Sequence, residues 1–435
     1  MKIAVIGGAG VRTPLLVSGL TASDLPIDEI ALYDIDDDRL TVIAGIAERM
    51  LEPIDARARI TRSRSVADCA ASADFVFTSI RAGGIARRIA DEETAQRHGI
   101  VGQETVGPAG FAMAMRNIPP MVRYARDIAG AAPRAWIVNF TNPVGMVTEA
   151  MRTVTDRVIG ICDTPTELFE SAAHALGLAP RDCYFDYFGL NHLGWLREIY
   201  IGGEPQLHQL WNDPDRLQAI YKVPLFDTAA LRLLQLLPTE YVYYYDQPAR
   251  AFDNVRRAAR TRGQVIDALT TALFEAVRSS AGDPVDRYRA YLAARSAGYM
   301  ALESGSVQAV HAAWQPQMSG YDKIALSVVR AIHADANAII PLSVVNRGTM
   351  SDLLDGDVVE VPCVVNANGA RPLHVGAAPD RVRALLQQVK DYERRTVAAA
   401  LAPSLDAARA ALAANPLVPT RAAAESLVDD LMPLW

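Results

Sequence analysis

The 435-residue chain predicts an α/β protein: a doubly wound, mostly parallel sheet followed by a mostly helical α+β segment. Three observations lead there. Short apolar runs alternate with helical patterns over about the first 165 residues. The first run ends in a glycine-rich turn, Gly7-Gly8-Ala9-Gly10, that opens a helix. Beyond that region the pattern changes to long Ala-, Leu- and Arg-rich helical stretches with few strands. The length suits two domains, placed at residues 1–165 and 166–435.

Residues 2–6 are apolar enough for a fully buried strand, and residues 13–20 form a helix after the turn. Residues 29–33 are the second strand, ending at Asp34; residues 74–79, 135–139 and 158–162 are further strands. Helical patterns at 40–50 and 118–129 lie between them. Residues 184–190 and 196–201 read as strands around an Asn191-His192 turn. Helices dominate from 227 to about 334, residues 358–365 alternate as a strand, and 381–413 is helical again. Met1-Lys2 before an apolar run resembles a leader peptide, but Gly7, Gly8, Gly10 and Arg12 interrupt the run, which favours strand and turn.

Half the residues are hydrophobic, so a sizeable core can form, and the formal charge of −7 argues against a general nucleic-acid binder. A local basic pocket for an anion stays compatible with that charge. Cys69, Cys162, Cys183 and Cys363 are scattered without a CxxC pair, which predicts reduced thiols and a cytoplasmic protein. No stretch is apolar for long enough to span a membrane.

The glycine turn carries the first chemical signal. Gly8 and Gly10 fill two positions of the Rossmann-like dinucleotide fingerprint, and Thr13 stands at the third, so the match is partial. Asp34 follows at the end of the second strand, where a carboxylate binds the ribose hydroxyls of NAD and repels the extra phosphate of NADP. The alternative is a plain tight turn with an exposed Asp. Cys162 follows an apolar strand, and strand C-termini face the ligand crevice in such sheets. With His192 it can share one transition metal, with substrate oxygens completing the shell. Singly, such a Cys is more often a small buried hydrophobe, and such a His a structural hydrogen-bonder. Tyr241 opens a tyrosine cluster that serves core packing, yet one phenol beside a metal can act as a general base.

Taken together these segments resemble glycoside hydrolase family 4, the NAD- and metal-dependent glycosidases, and most of all its 6-phospho-β-glucosidases. The likeness runs nearly end to end. It includes Arg12-Thr13-Pro14, Arg81-Ala82-Gly83-Gly84 with Arg88, Gly102-Gln103-Glu104-Thr105 and Asn139-Phe140-Thr141-Asn142-Pro143. It continues through Cys162, Gly189-Leu190-Asn191-His192, Tyr241, Arg262-Gly263, the strand around Glu360, and Asn368-Gly369. The resemblance implies that Cys162 and His192 hold Mn²⁺ or another divalent metal, and that Tyr241 is the catalytic base. It puts Asn142 near the substrate hydroxyls and the nicotinamide, Glu104 near the metal site, and Arg88 and Arg262 on the sugar phosphate. It also implies hydrolysis by NAD-dependent oxidation at C3, deprotonation at C2 and elimination, in a homodimer or homotetramer. Family 4 is an exception to the two-carboxylate scheme of glycosidases.

One residue departs from the β-type pattern. Asp163 follows the metal cysteine, where those members most often have Asn and the α-type members have Asp. Asp163 is therefore either a proton donor to the leaving group or a helix N-cap before Pro165. Action on α-linked or unphosphorylated glycosides stays open. So do an NAD-dependent 2-hydroxy-acid dehydrogenase, which would accumulate NADH, and a nucleotide-sensing protein without catalysis.

Overall fold

The computed structural model describes residues 1–54, 57–279, 282–305 and 320–432. Six strands build the predicted parallel sheet: β1 (Lys2–Ile6), β2 (Glu29–Tyr33), β3 (Arg59–Arg62), β4 (Phe75–Thr78), β5 (Trp136–Asn139) and β6 (Val158–Gly160). Their spatial order is β3-β2-β1-β4-β5-β6, all parallel, which is the doubly wound dinucleotide-binding order. The central strands are buried on both faces, so they read as unbroken apolar runs rather than as alternation.

Two antiparallel strands, β7 (Tyr184–Leu190) and β8 (Leu193–Ile201), form a hairpin, extended by β9 (Glu204–Pro205) and β10 (Leu237–Pro238) on β8. The first sheet then takes three strands from far along the chain. These are β11 (Ala338–Val345), β12 (Val358–Asn366) and β13 (Gly369–Pro372), added antiparallel beyond β6 to give nine strands. The segments before and after residue 165 thus share one sheet. β11 was not expected. Pro341 interrupts its pattern, and proline removes a ladder donor. In the fold Pro341 faces Pro362 across the β11–β12 pair.

The helix over Gly107–Ala131 is twice as long as the sequence suggested, because it passes through Pro119 and Pro120. Its buried face, with Phe111, Met115, Ile118, Val122 and Ile128, packs into the main core and outweighs the two missing donors. The expected helix at 381–413 is two, Asp380–Leu401 and Leu405–Ala414, separated at Pro403. A second core lies under the hairpin, around Phe169, Tyr187, Leu196 and Trp211. A third cluster, Ile43, Ile46, Leu273, Phe274, Tyr288 and Tyr291, seats the helices Arg262–Arg278 and Pro284–Ala297 on the helix Asp37–Leu51. That contact folds the second half of the chain over the C-terminal ends of β1 and β2. Among the described residues, no helix is long and apolar enough to cross a membrane.

Candidate active site

A single cleft of about 1900 Å³ runs from the glycine turn to the hairpin tip. It is lined by Gly7, Ala9, Gly10, Arg12 and Asp34 from the glycine turn and the end of β2, by Asn142, Cys162, Asp163, His192 and Tyr241, and by Arg81, Arg88, Glu104 and Arg262. Ten of the eleven residues singled out from sequence therefore border one space. The exception is Gly8. It packs against Leu32 and Leu40, and its N–H donates to the Tyr33 carbonyl (2.9 Å), so it holds the turn to β2 and does not face the cleft.

At the dinucleotide end the tight residue is Gly7. Its φ is +91°, and a Cβ there would lie 2.2 Å from the Ser79 carbonyl oxygen, so only glycine fits. Asp34 leaves β2 and accepts the Ala9 N–H (3.0 Å) and the Asp36 N–H (3.1 Å). Its carboxylate is thus fixed beside the turn, where a ribose would meet it.

The far end is built on two strand ends. Cys162 follows β6, and His192 sits in the two-residue connection between β7 and β8 with φ +66°. A non-glycine residue in that left-handed region is uncommon and clusters at functional sites. The turn is held closed because Gly189 lets the two strands meet: a Cβ there would lie 2.3 Å from the Leu193 carbonyl oxygen. Cys162 Sγ and His192 Nε2 come 3.7 Å apart, both residues buried. Zinc-like bonds of about 2.3 Å to sulfur and 2.1 Å to nitrogen, at a tetrahedral angle, would separate the two atoms by about 3.6 Å. The pair therefore fits a shared divalent transition metal. Among the described residues no group of three or more His, Cys, Asp or Glu side chains could hold an ion. Further ligands would come from a bound molecule or water.

The tautomer of His192 follows from a residue that sequence reasoning missed. Thr105 Oγ1 donates to Gln103 Oε1 (2.8 Å), so it accepts from His192 Nδ1–H (2.9 Å) and leaves the Nε2 lone pair facing Cys162. Burial lowers the His192 pKa to about 4, so the ring is neutral as a ligand must be. Burial, then the negative charges of Asp163 and Glu360, push the Cys162 thiol well up; a bound divalent cation would reverse that balance.

Tyr241 reaches this end because β10 pairs with β8 and the Thr239 N–H donates to the Gly194 carbonyl (2.9 Å). Its ring stacks on His192 with centroids 3.9 Å apart and planes at 7°. Asp163 occupies the N-cap position of the helix Thr164–Ala175, but its side chain makes no capping hydrogen bond. It turns instead toward Arg12 Nη1 (3.4 Å) and Cys162 Sγ (3.9 Å). Asn142 keeps a buried Oδ1 with no partner among the described residues. Its loop is pinned by Asn117, which donates to the Asn142 carbonyl (2.7 Å), and by Asn139, which accepts from Thr78 Oγ1 (2.9 Å) and from the Thr141 N–H (2.9 Å).

Also on the cleft wall, Glu104 Oε2 forms ion pairs with Arg81 (2.6 Å) and Arg88 (2.8 Å). Burial would raise its pKa, yet the two guanidinium groups hold the carboxyl far below the usual range. Arg88 is buried and also binds Glu92 (2.7 Å). Arg262 donates through Nη2 to the Arg295 carbonyl (2.8 Å). Arg81 and Arg295 belong to the same wall and were not singled out as binding groups from sequence.

Residues 2–178 match the family model for family 4 glycosyl hydrolases, and residues 187–418 match the model for the family's C-terminal domain. The chain belongs to glycosyl hydrolase family 4. It is thus an enzyme that hydrolyses glycosides. It is 30% identical over 450 residues to a probable 6-phospho-beta-glucosidase of Bacillus subtilis, covering 99% of this chain and 96% of that protein. It is 27% identical to the phospho-alpha-glucosidase PagL of Clostridium acetobutylicum, covering 99% and 97%. The fold superposes on the 6-phospho-beta glucosidase from Thermotoga maritima, solved with manganese, NAD⁺ and glucose-6-phosphate. The TM-score is 0.84, with 28% identity and coverage of 100% of this chain and 98% of that one. Both α- and β-type enzymes are thus among its relatives.

Proposed function

We propose that this family 4 enzyme is a 6-phospho-β-glucosidase that binds NAD and Mn²⁺. The observation that carries the reading is the Cys162–His192 pair at 3.7 Å with Tyr241 stacked on the histidine, in the same cleft as the glycine turn. The solved relative from Thermotoga maritima, with manganese, NAD⁺ and glucose-6-phosphate, supports it. When bound, NAD⁺ supplies a hydride acceptor for C3 and Mn²⁺ a Lewis acid for the neighbouring sugar oxygens.

This chain's residues do the rest. Cys162 and His192 hold the metal, with Thr105 fixing the histidine. Tyr241 takes the C2 proton, and the glycosidic oxygen leaves from C1 by elimination. Asn142 Oδ1, buried and unpaired among the described residues, accepts from a sugar hydroxyl or the nicotinamide amide. Arg88 and Arg262 receive the 6-phosphate, since guanidinium groups bind phosphate through paired donors. A second reading, action on α-linked substrates, is favoured by one observation: the Asp163 carboxylate is free of capping and faces the cleft beside Cys162. It could then protonate the leaving group.

The test is a panel of nitrophenyl α- and β-glucosides, with and without 6-phosphate, assayed with NAD⁺, Mn²⁺ and a reductant. Preferential cleavage of the 6-phospho-β-glucoside is expected. Net accumulation of NADH on turnover would reject the redox-neutral cycle, and equal cleavage of plain and phosphorylated glucosides would reject the phosphate assignment.

A further inference from the structure

The carboxylates of the cleft fall into two kinds. Glu104 is locked as an anion between Arg81 and Arg88, and Asp163 faces Arg12. Glu240 is different: no arginine or lysine forms an ion pair with it among the described residues. Its Oε1 instead accepts the hydroxyl of Tyr299 at 2.7 Å, and that hydroxyl stands 3.4 Å from the hydroxyl of Tyr241. All three side chains line the cleft. The row Tyr241–Tyr299–Glu240 thus ends on a carboxylate that meets the water of the cleft.

We propose that Tyr299 and Glu240 form a proton path that carries the proton taken by Tyr241 from the substrate out to solvent. The proposal rests on the reading of Tyr241 as the C2 base. Once Tyr241 holds the substrate proton, its O–H bond breaks and an O–H forms on Tyr299. The original Tyr299 O–H breaks as one forms on Glu240. Tyr241 is left as phenolate, Tyr299 as phenol and Glu240 as the neutral acid. No electrons move; the acid exchanges its proton with water, and the same transfers run in reverse give Tyr241 a solvent proton, which it returns to C2 when water adds. Both are positioning residues that act through Tyr241.

The surroundings suit a carboxyl that changes state near neutrality. Burial, followed by the negative charge of Glu167, raises the Glu240 pKa to about 7, opposed by the Tyr299 hydrogen bond and the Lys222 charge. The groups facing it are Tyr241 on its own turn, Tyr299 after the helix Pro284–Ala297, Tyr221 and Lys222, and Glu167 and Asp163 from the helix region around Thr164–Ala175. Lys222 is paired with Glu167 (2.7 Å), so its charge is shared. A group with proton affinity close to ambient pH can both take and release a proton at each turnover.

The test follows a label. A 6-phospho-β-glucoside carrying deuterium at C2 is turned over in ordinary water by wild type, Glu240→Gln and Tyr299→Phe, each with NAD⁺ and Mn²⁺. Wild type is expected to give product that has lost the deuterium. Both variants should return it to C2, because the deuteron on Tyr241 has no exit, with kcat about tenfold lower and KM within about twofold. Equal binding of NAD by each variant and wild type shows that the cleft is intact, a readout independent of turnover. Variants that wash out the deuterium as wild type does would overturn the path. Wild type that retains the deuterium also overturns it; a primary isotope effect on C2–H cleavage, read in single turnover, then leaves Tyr241 as the base, and its absence removes that reading as well.

Discussion

Replacing Thr105 by Val tests the metal end with the smallest change in shape. The hydroxyl accepts His192 Nδ1–H at 2.9 Å, and both residues are 8% exposed. Valine leaves that N–H buried without an acceptor, which costs about 1–3 kcal/mol. The backbone stays put, because the Thr105 N–H still donates to Gln103 Oε1 at 2.7 Å. The ring then loses the bond that fixes its tautomer and aims Nε2 at Cys162. Changes to such outer partners weaken metal binding about 10–100-fold, or about 1.4–2.8 kcal/mol at 1.4 kcal/mol per decade. The two estimates agree. Calorimetric titration of Mn²⁺ into the NAD-loaded protein should show this loss for Thr105→Val and near wild-type affinity for Thr105→Ser, which keeps the hydroxyl. A Thr105→Val Kd within twofold of wild type would refute the assignment of Nε2 as the metal-facing nitrogen.

Other expectations follow from neighbouring geometry. Glu104→Gln leaves Arg81 and Arg88 in the cleft without their shared carboxylate, and should destabilise the protein by about 3 kcal/mol, the low end for a broken buried pair. Inorganic phosphate should then raise the melting temperature of the variant more than that of wild type; no difference would argue against an anion site here. Asp34→Ala removes both the ribose acceptor and the partner of the Ala9 N–H, so NADH affinity should drop about tenfold while NADPH affinity changes little. Fluorescence titration with the two reduced cofactors reads this directly. Gly7→Ala places a methyl group 2.2 Å from the Ser79 carbonyl oxygen at φ +91°, and should cost at least about 2 kcal/mol in thermal unfolding. A variant as stable as wild type would mean the turn has another accessible shape.

The parallel half of the fold was legible because its rules are local. A buried strand, a glycine turn and a helix follow one another within about twenty residues, and the carboxylate at the end of the next strand sits where the sheet order must put it. Residues 2–6, 29–33 and 184–190 fall on the strands expected of them. Cys162 could be placed in the crevice for the same reason: strand C-termini point there. Where proline broke a pattern, the local signal misled. The helix through Pro119-Pro120 and the strand containing Pro341 form because packing on a large core supplies more than the missing donors cost.

What the sequence could not give was proximity between distant segments. His192 meets Cys162 only because β7 and β8 close on Gly189 and the hairpin leans on β12, through the Tyr187 and Asn191 bonds to Glu360. Thr105 reaches His192 across 87 positions of chain, and Tyr299 lies 58 positions from Tyr241. A threonine, a glutamate or a second tyrosine carries no periodicity that marks it as functional. Its role exists only once loop closure has brought its partner within about 3 Å. The chemistry proposed for Cys162, His192 and Tyr241 is written in their residue types; the choice of tautomer, the burial that sets their proton affinities and the row of hydroxyls behind them came from tertiary packing, because hydrogen bonding and desolvation act at contact range and not along the chain.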